Sequence, residues 1–365
     1  MNIVTLDFET YYSKDFSLRK LTTEEYIRDP RFQVIGVGLK VDGGDTEWIE
    51  GDKVAERLKQ IHWGDCLLLC HNTLFDGAIL AWTYGLKPAG FLDTLSMARA
   101  VHGVDAGGSL AKLAIRYNIG EKGDEVVRAE GKRLEDFAPQ DLEQYGEYCK
   151  NDVDLTYRLF NILSTDFPVS ELHLIDLTLQ MFIYPKLEVD DALLLERLDE
   201  IKVEKQALLG ALKQELNCED EEGVRKILAS NKQFAELLQK HGIKVPMKIS
   251  PTTGKDTYAL AKNDVGFIEL TEHEDPFIQQ LCAVRLGTKS TIEESRIERF
   301  IQIGGRNKGR LPIPLKYYGA HTGRWAGSDK VNFQNLPSRD KKKKALKNAV
   351  IAPQDHVIIN CDSSQ

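Results

Sequence analysis

Residues 66–80 read CLLLCHNTLFDGAIL. Cys66 to Cys70 is an unbroken apolar run of strand length, which predicts a strand buried on both faces. It leads directly into His71-Asn72-Thr73, where Asn72 or Thr73 is placed to cap a helix carrying Phe75, Asp76, Ile79 and Leu80. A buried strand that feeds a helix, with no hairpin turn between them, is the repeating unit of an α/β domain. The flanking sequence extends the pattern. Ile3-Val4-Thr5-Leu6 predicts a strand ending at Asp7. Residues 32–41 predict a second, in which Gly36 and Gly38 mark close approach by another backbone. Asp42-Gly43-Gly44 marks a turn, and residues 54–61 and 141–163 read as helices.

The 365 residues suffice for two or three domains with cores of their own. No apolar stretch approaches the ~18 residues that span a bilayer, and MNIVTLDFET has neither the basic start nor the cleavage site of a signal peptide. The six cysteines form no CxxC and no His stands at zinc-finger spacing, so buried free thiols in a reducing compartment are expected. The net charge of −8 is unevenly spread. Residues 301–365 hold 12 Lys and Arg against 4 Asp, so a basic end follows an acidic body. That pattern suggests a polyanion met locally, although Lys341 to Lys344 read equally well as a solvated charged loop. The middle is helical. Residues 190–216 carry a stripe of Leu194, Leu198, Ile201, Leu208 and Leu212, residues 224–241 and 276–300 read as further helices, and residues 246–257 as a loop. Gly254-Lys255 is not a P-loop, because Ile249 stands where the first Gly is required.

Three short segments carry chemistry. In Asp7-Phe8-Glu9, strand alternation places both carboxylates on one side at a strand end. Two acids so placed repel unless a cation lies between them, and a pair of divalent metals is the usual solution in phosphoryl chemistry. Alone, such a pair is most often a surface turn. Asp76 adds a third carboxylate on a helix that follows a buried strand, on the face of Asn72 and beside Phe75. Tyr148 and Asp152 stand at i and i+4 on a helix whose Val153, Leu155 and Leu159 imply a packed core, so phenol and carboxylate project together.

In order and spacing, Asp7, Glu9, Asp76, Tyr148 and Asp152 match the D-x-E, N-x-x-F/Y-D and Y-x-x-x-D motifs of the Tyr-containing branch of the DEDD exonuclease superfamily. The His-containing branch has His five residues before the last Asp, where this chain has Glu147. Residues 1–165 resemble the proofreading 3′–5′ exonuclease domain of family A DNA polymerases, as do Asp93-Thr94 and the helix from Ser109 to Tyr117. A second resemblance runs through His321-Thr322-Gly323-Arg324-Trp325, Asn332 to Pro337, Ile351-Ala352-Pro353 and Ile358 to Gln365, which looks like the start of the family A polymerase palm. Ser230 to Gln233 and Lys289-Ser290-Thr291 are similar to the thumb. The order is that of phage-type family A enzymes, with no preceding 5′-nuclease domain.

The resemblance implies a ribonuclease H-like α/β exonuclease domain at 1–165, with a mixed sheet and flanking helices, a helical thumb-like region at 166–304 and an incomplete palm at 305–365. It implies two Mg²⁺ or Mn²⁺ ions held by Asp7, Glu9, Asp76 and Asp152, with Tyr148 orienting the attacking water. Thr10, Asn72 and Phe75 would hold the last nucleotides of a single-stranded DNA 3′ end, while Phe8 is expected to pack rather than stack. Lys289, Arg324, Gln334 and Asn335 would contact primer–template DNA. Asp362 falls on the first polymerase metal ligand but stands alone, so no nucleotide addition is expected. A monomer in a bacterial or phage-infected cytoplasm, with replication accessory proteins, completes the expectation. Two other readings stand beside it. One is an RNA-directed exonuclease of the same superfamily, against which the palm-like block argues. The other is a non-catalytic primer–template binding fragment, against which the intact set of five site residues argues.

Overall fold

The computed structural model describes residues 1–123, 129–213, 216–289, 292–337, 342, 344–359 and 361. The chain divides into two compact units. The first comprises Met1–Val189, Ile303–Leu336 and Val350–Gln365, the second Asp190–Gln302 and Pro337–Ala349.

A five-stranded mixed sheet organises the first unit. Its strands are β1 (Asn2–Thr10), β2 (Val34–Val41), β3 (Glu47–Glu50), β4 (Cys66–Cys70) and β5 (Gly90–Asp93), in the order β3-β2-β1-β4-β5. β1 is antiparallel to β2 and parallel to β4, and β4 is parallel to β5. The centre is apolar as expected: Val4, Leu6, Leu68, Leu69 and Phe91 are all buried. The helices α1 (Thr23–Arg28), α2 (Gly51–Lys59), α3 (Thr73–Trp82), α4 (Thr94–His102), α5 (Leu110–Tyr117), α6 (Pro139–Leu163) and α7 (Val169–Ile183) complete this part, followed by the short β6 (Glu188–Val189). α6 lies along β1 and β2, and α7 packs on α3 and β5.

β1 does not stop at Asp7 but continues to Thr10, because Phe8 and Glu9 pair with Val37 and Gly36 of β2. Asp7 and Glu9 are therefore fixed by a ladder instead of lying in a loop. Gly36 and Gly38 do admit close neighbours. A Cβ at Gly36 would lie 2.2 Å from the Trp48 ring, and one at Gly38 would lie 2.9 Å from both Cys149 Sγ and Val153 Cγ2. The approaching groups are chiefly side chains of β3 and α6. Four cysteines are buried, but Cys218 is half-buried and Cys361 exposed, so buried thiols hold for only part of the set; all six are free.

The second unit is helical. It contains α8 (Asp191–Lys213), α9 (Glu221–Ala229), α10 (Asn231–Lys240), the strands β7 (Met247–Ile249) and β8 (Asp256–Tyr258), α11 (Val265–Thr271), α12 (Pro276–Lys289) and the start of α13 (Ile292–Arg306). Three expectations change here. The single helix over 224–241 is two, because Ser230 is extended and caps α10 through its hydroxyl on the Gln233 N–H. The loop at 246–257 is an antiparallel hairpin whose Pro- and Gly-bearing turn disguises two short strands. Along α8, Leu194, Leu198, Ile201 and Leu212 are buried with Leu209, while Leu208 is 37% exposed. No helix among the described residues is long and apolar enough to cross a membrane.

Candidate active site

The site grows from the β1–β2 ladder. Asp7 pairs with Gly38 and Glu9 with Gly36, and the register shifts between Glu9 and Thr10. With no side chain at Gly38, α6 comes down directly beside Asp7. There the Cys149 thiol donates to the Asp7 carbonyl oxygen at 3.3 Å and stands 3.9 Å from its Oδ2. The i, i+3, i+4, i+7 face of α6 thus delivers Tyr145, Tyr148, Cys149 and Asp152 to the sheet. Ligand atoms of Asp7, Glu9 and Cys149 all lie within 4.8 Å of one another.

α3 brings the third carboxylate. Asp76 is buried and its Oδ1 accepts the Phe8 N–H at 3.0 Å, which ties the helix to β1 between the two strand acids. The helix start differs from expectation. Asn72 is the N-cap but adopts φ 84° and makes no side-chain cap bond. Asp93 at the end of β5 does the capping, its Oδ1 accepting the Asn72 N–H at 2.8 Å and the Thr73 N–H at 3.1 Å. Asn72 is exposed, and its backbone lies in the left-handed region.

The electrostatics are those of crowded, poorly solvated acids. Burial first, then Glu9, Asp76 and Asp152, drive the Asp7 carboxyl well above the usual range. Burial raises Glu9 to about 7 against the opposing hydrogen bond from Tyr145, whose hydroxyl donates to Glu9 Oε2 at 2.5 Å. Asp76 is raised to about 8, chiefly by burial. Burial also lifts Asp152, although Lys122 Nζ donates to its Oδ2 at 2.5 Å. The Tyr148 phenol is raised by burial, and its ring centre lies 5.1 Å from Lys122 Nζ.

Asp152 Oδ1 is buried and has no hydrogen-bond partner. An orphaned carboxylate oxygen beside three further raised carboxyls is what a cation site presents without its ion, and the all-oxygen donor set suits a hard divalent cation. The residues present therefore fit such a group. A cleft of about 300 Å³ opens over Asp7, Glu9, Tyr145, Tyr148, Asp152 and Lys122. An adjoining cavity of about 310 Å³ shares Phe8, Glu9, Tyr12 and Tyr145 with it and adds Thr10, Arg19, Tyr26 and Phe75.

The structure thus brings together all five motif residues, with Thr10 and Phe75 alongside. Phe8 packs as expected, buried and stacked on Tyr84 at 5.8 Å. Arg324, Gln334 and Asn335 are exposed on the C-terminal part of the first unit, and the Gln334 amide donates to the Trp325 carbonyl oxygen at 2.9 Å. The Lys289 side chain and Asp362 lie outside the described residues. Sequence reading missed Tyr145, Cys149 and Lys122. The first two were detectable as the Tyr148–Asp152 face extended by one turn, whereas a lysine in an irregular segment carried no signal.

Part of the chain is similar to a 3′–5′ exonuclease domain of the DNA polymerase A kind. A family model of that description matches residues 44–167, which include Asp76, Lys122, Tyr148 and Asp152 and begin after Asp7 and Glu9. In particular, the chain resembles the N-terminal part of a family A polymerase. DNA polymerase I of Borreliella burgdorferi is 25% identical over 338 residues, covering 90% of this chain. The chain spans 35% of that relative's length. The fold is shared with the solved POL domain of Pol1 from M. smegmatis, described as a complex with DNA primer-template and dNTP. The TM-score is 0.57 at 17% identity, over 97% of this chain and 55% of that one.

Proposed function

We propose that this chain is a 3′–5′ exodeoxyribonuclease that removes nucleoside 5′-monophosphates from DNA 3′ ends, as the proofreading portion of a family A DNA polymerase. The observation that carries the reading is the convergence of Asp7, Glu9 and Asp152 with Tyr148 on one cleft, with Asp76 buried against the Phe8 N–H between the two strand acids and Asp152 Oδ1 left unpartnered. Asp7, Glu9, Asp76 and Asp152 would hold two divalent ions, Mg²⁺ or Mn²⁺. Bound there, the ions supply an activated water and neutralise the leaving 3′ oxygen. Tyr148 keeps its proton, since burial raises the phenol, so it orients the water and does not serve as the base. Thr10 and Phe75 border the adjoining cavity, which is placed to receive the terminal nucleotides. An end must unpair to enter so confined a cleft, which favours single strands.

The test is cleavage of matched 5′-labelled DNA and RNA oligonucleotides in Mg²⁺ or Mn²⁺, with EDTA and Asp7→Ala controls. The reading expects a DNA ladder shrinking from the 3′ end, release of nucleoside 5′-monophosphates, and loss of both in either control. Preferential shortening of RNA favours the RNA-directed exonuclease. Retained DNA with no shortening by folded protein favours a binding fragment.

A further inference from the structure

Lys122 is the one charged group of the cleft that carries a positive charge among the described lining residues. Its Nζ lies 2.5 Å from Asp152 Oδ2 and 5.1 Å from the centre of the Tyr148 ring. Lys122 thus meets both Asp152 and the Tyr148 ring, two residues the nuclease reading uses. The Asp152 carboxylate is divided: Oδ2 is held by Lys122, while Oδ1 is buried and unpartnered.

We propose that Lys122 is a positioning residue of the nuclease site, which claims Oδ2 of Asp152 so that only Oδ1 is offered to a divalent ion, and which stands against the Tyr148 ring. This rests on the nuclease reading above. Two consequences follow from charge and geometry. A fixed ammonium beside a cation site repels the incoming ion, so the site binds it more weakly than its carboxylates alone would. The same ammonium orders Asp152 and Tyr148, so turnover depends on it. Removing Lys122 should therefore tighten metal binding while slowing the reaction, a pair of effects that general damage to the fold does not produce.

The experiment titrates Mn²⁺ alone into the full chain by calorimetry near neutral pH and measures turnover of a single-stranded DNA oligonucleotide separately. Lys122→Met is expected to bind Mn²⁺ about tenfold more tightly. Its kcat is expected to fall about tenfold or more, with KM nearly unchanged. Lys122→Arg should restore both towards the unaltered values, because it returns the charge to Asp152. In an Asp152→Asn background, Lys122→Met should no longer change Mn²⁺ affinity. Lys122 is partly exposed, so Met should be accommodated; if it unfolds, Lys122→Gln is read in the same way. Equal or weaker Mn²⁺ binding by the folded charge-removed variant, or unchanged turnover, overturns the proposal. Failure of the nuclease reading looks different, since the unaltered chain would itself neither cut DNA nor bind Mn²⁺ through Asp7.

Discussion

At Asp76 one side chain serves two ends that oppose each other. Its Oδ1 accepts the Phe8 N–H and locks α3 to β1, yet burial and the nearby acids raise its pKa from 3.8 to about 8. In the metal-free protein the folded state therefore holds a proton that the unfolded state gives up. The stabilisation is complete below about pH 4 and is lost as pH rises through about 8. Melting of the metal-free chain should fall across that window, and Mn²⁺ should reverse the fall. Asp76→Asn keeps an acceptor for Phe8 and removes the charge. Because the carboxyls share protons, we expect a gain of only about 2 kcal/mol near pH 8 in urea unfolding, with cleavage reduced about 10³-fold or more. Stability gained on losing activity is characteristic of a site built for an ion rather than for the fold. Tyr148→Phe should slow cleavage about tenfold to hundredfold, without moving the pH profile towards the phenol range. A profile that rises towards the phenol range in the unaltered chain and loses that rise in Tyr148→Phe would instead make Tyr148 the base.

Among the elements, α6 and the glycines beneath it decide whether the site exists. A Cβ at Gly38 would lie 2.9 Å from Cys149 Sγ and Val153 Cγ2, and neither can retreat from a buried helix face. Gly38→Ala should cost about 1–3 kcal/mol in chemical denaturation, and it should lower kcat by lifting Tyr148 and Asp152 away from Asp7. A loss of stability with full activity would show that α6 need not touch β2. The same elements show what the sequence made legible. Strong periodicity and composition identified β4, the body of α6 and the Tyr148–Asp152 pair, because buried strands and long helices repeat a local signal. Asp93 as the cap of α3 was not legible, since the bond spans 20 residues and replaces the local Asn72 cap that the text suggests. β3 and the β7–β8 hairpin are short, so their pairing is set by partners distant in space or by a turn whose Pro and Gly look like plain loop. Lys122 was invisible for a related reason: its meaning lies in the carboxylate it meets.

Across the whole chain, residues far apart in sequence are knitted into the first unit. Glu24 on α1 is buried and accepts from Arg306 at 2.7 Å and from the Asn307 amide at 2.8 Å, while Asp329 accepts the Thr23 N–H at 2.9 Å. α1 also holds Tyr26, whose hydroxyl meets Thr10 Oγ1 at 2.9 Å beside the cavity that Phe75 borders. Glu24→Ala leaves the Arg306 guanidinium without its main partner, and about 2–4 kcal/mol should be lost on unfolding. A loss below about 0.5 kcal/mol would mean the pair behaves as an exposed one. On the proposed reading, four carboxylates from β1, α3 and α6 make one divalent-ion site. Its most direct test is an anomalous difference map from crystals of the chain soaked in Mn²⁺. The account predicts peaks bounded by Asp7, Glu9, Asp76 and Asp152, with Asp152 contributing through Oδ1. A Mn²⁺-soaked crystal of folded protein with no peak among these four carboxylates would contradict it.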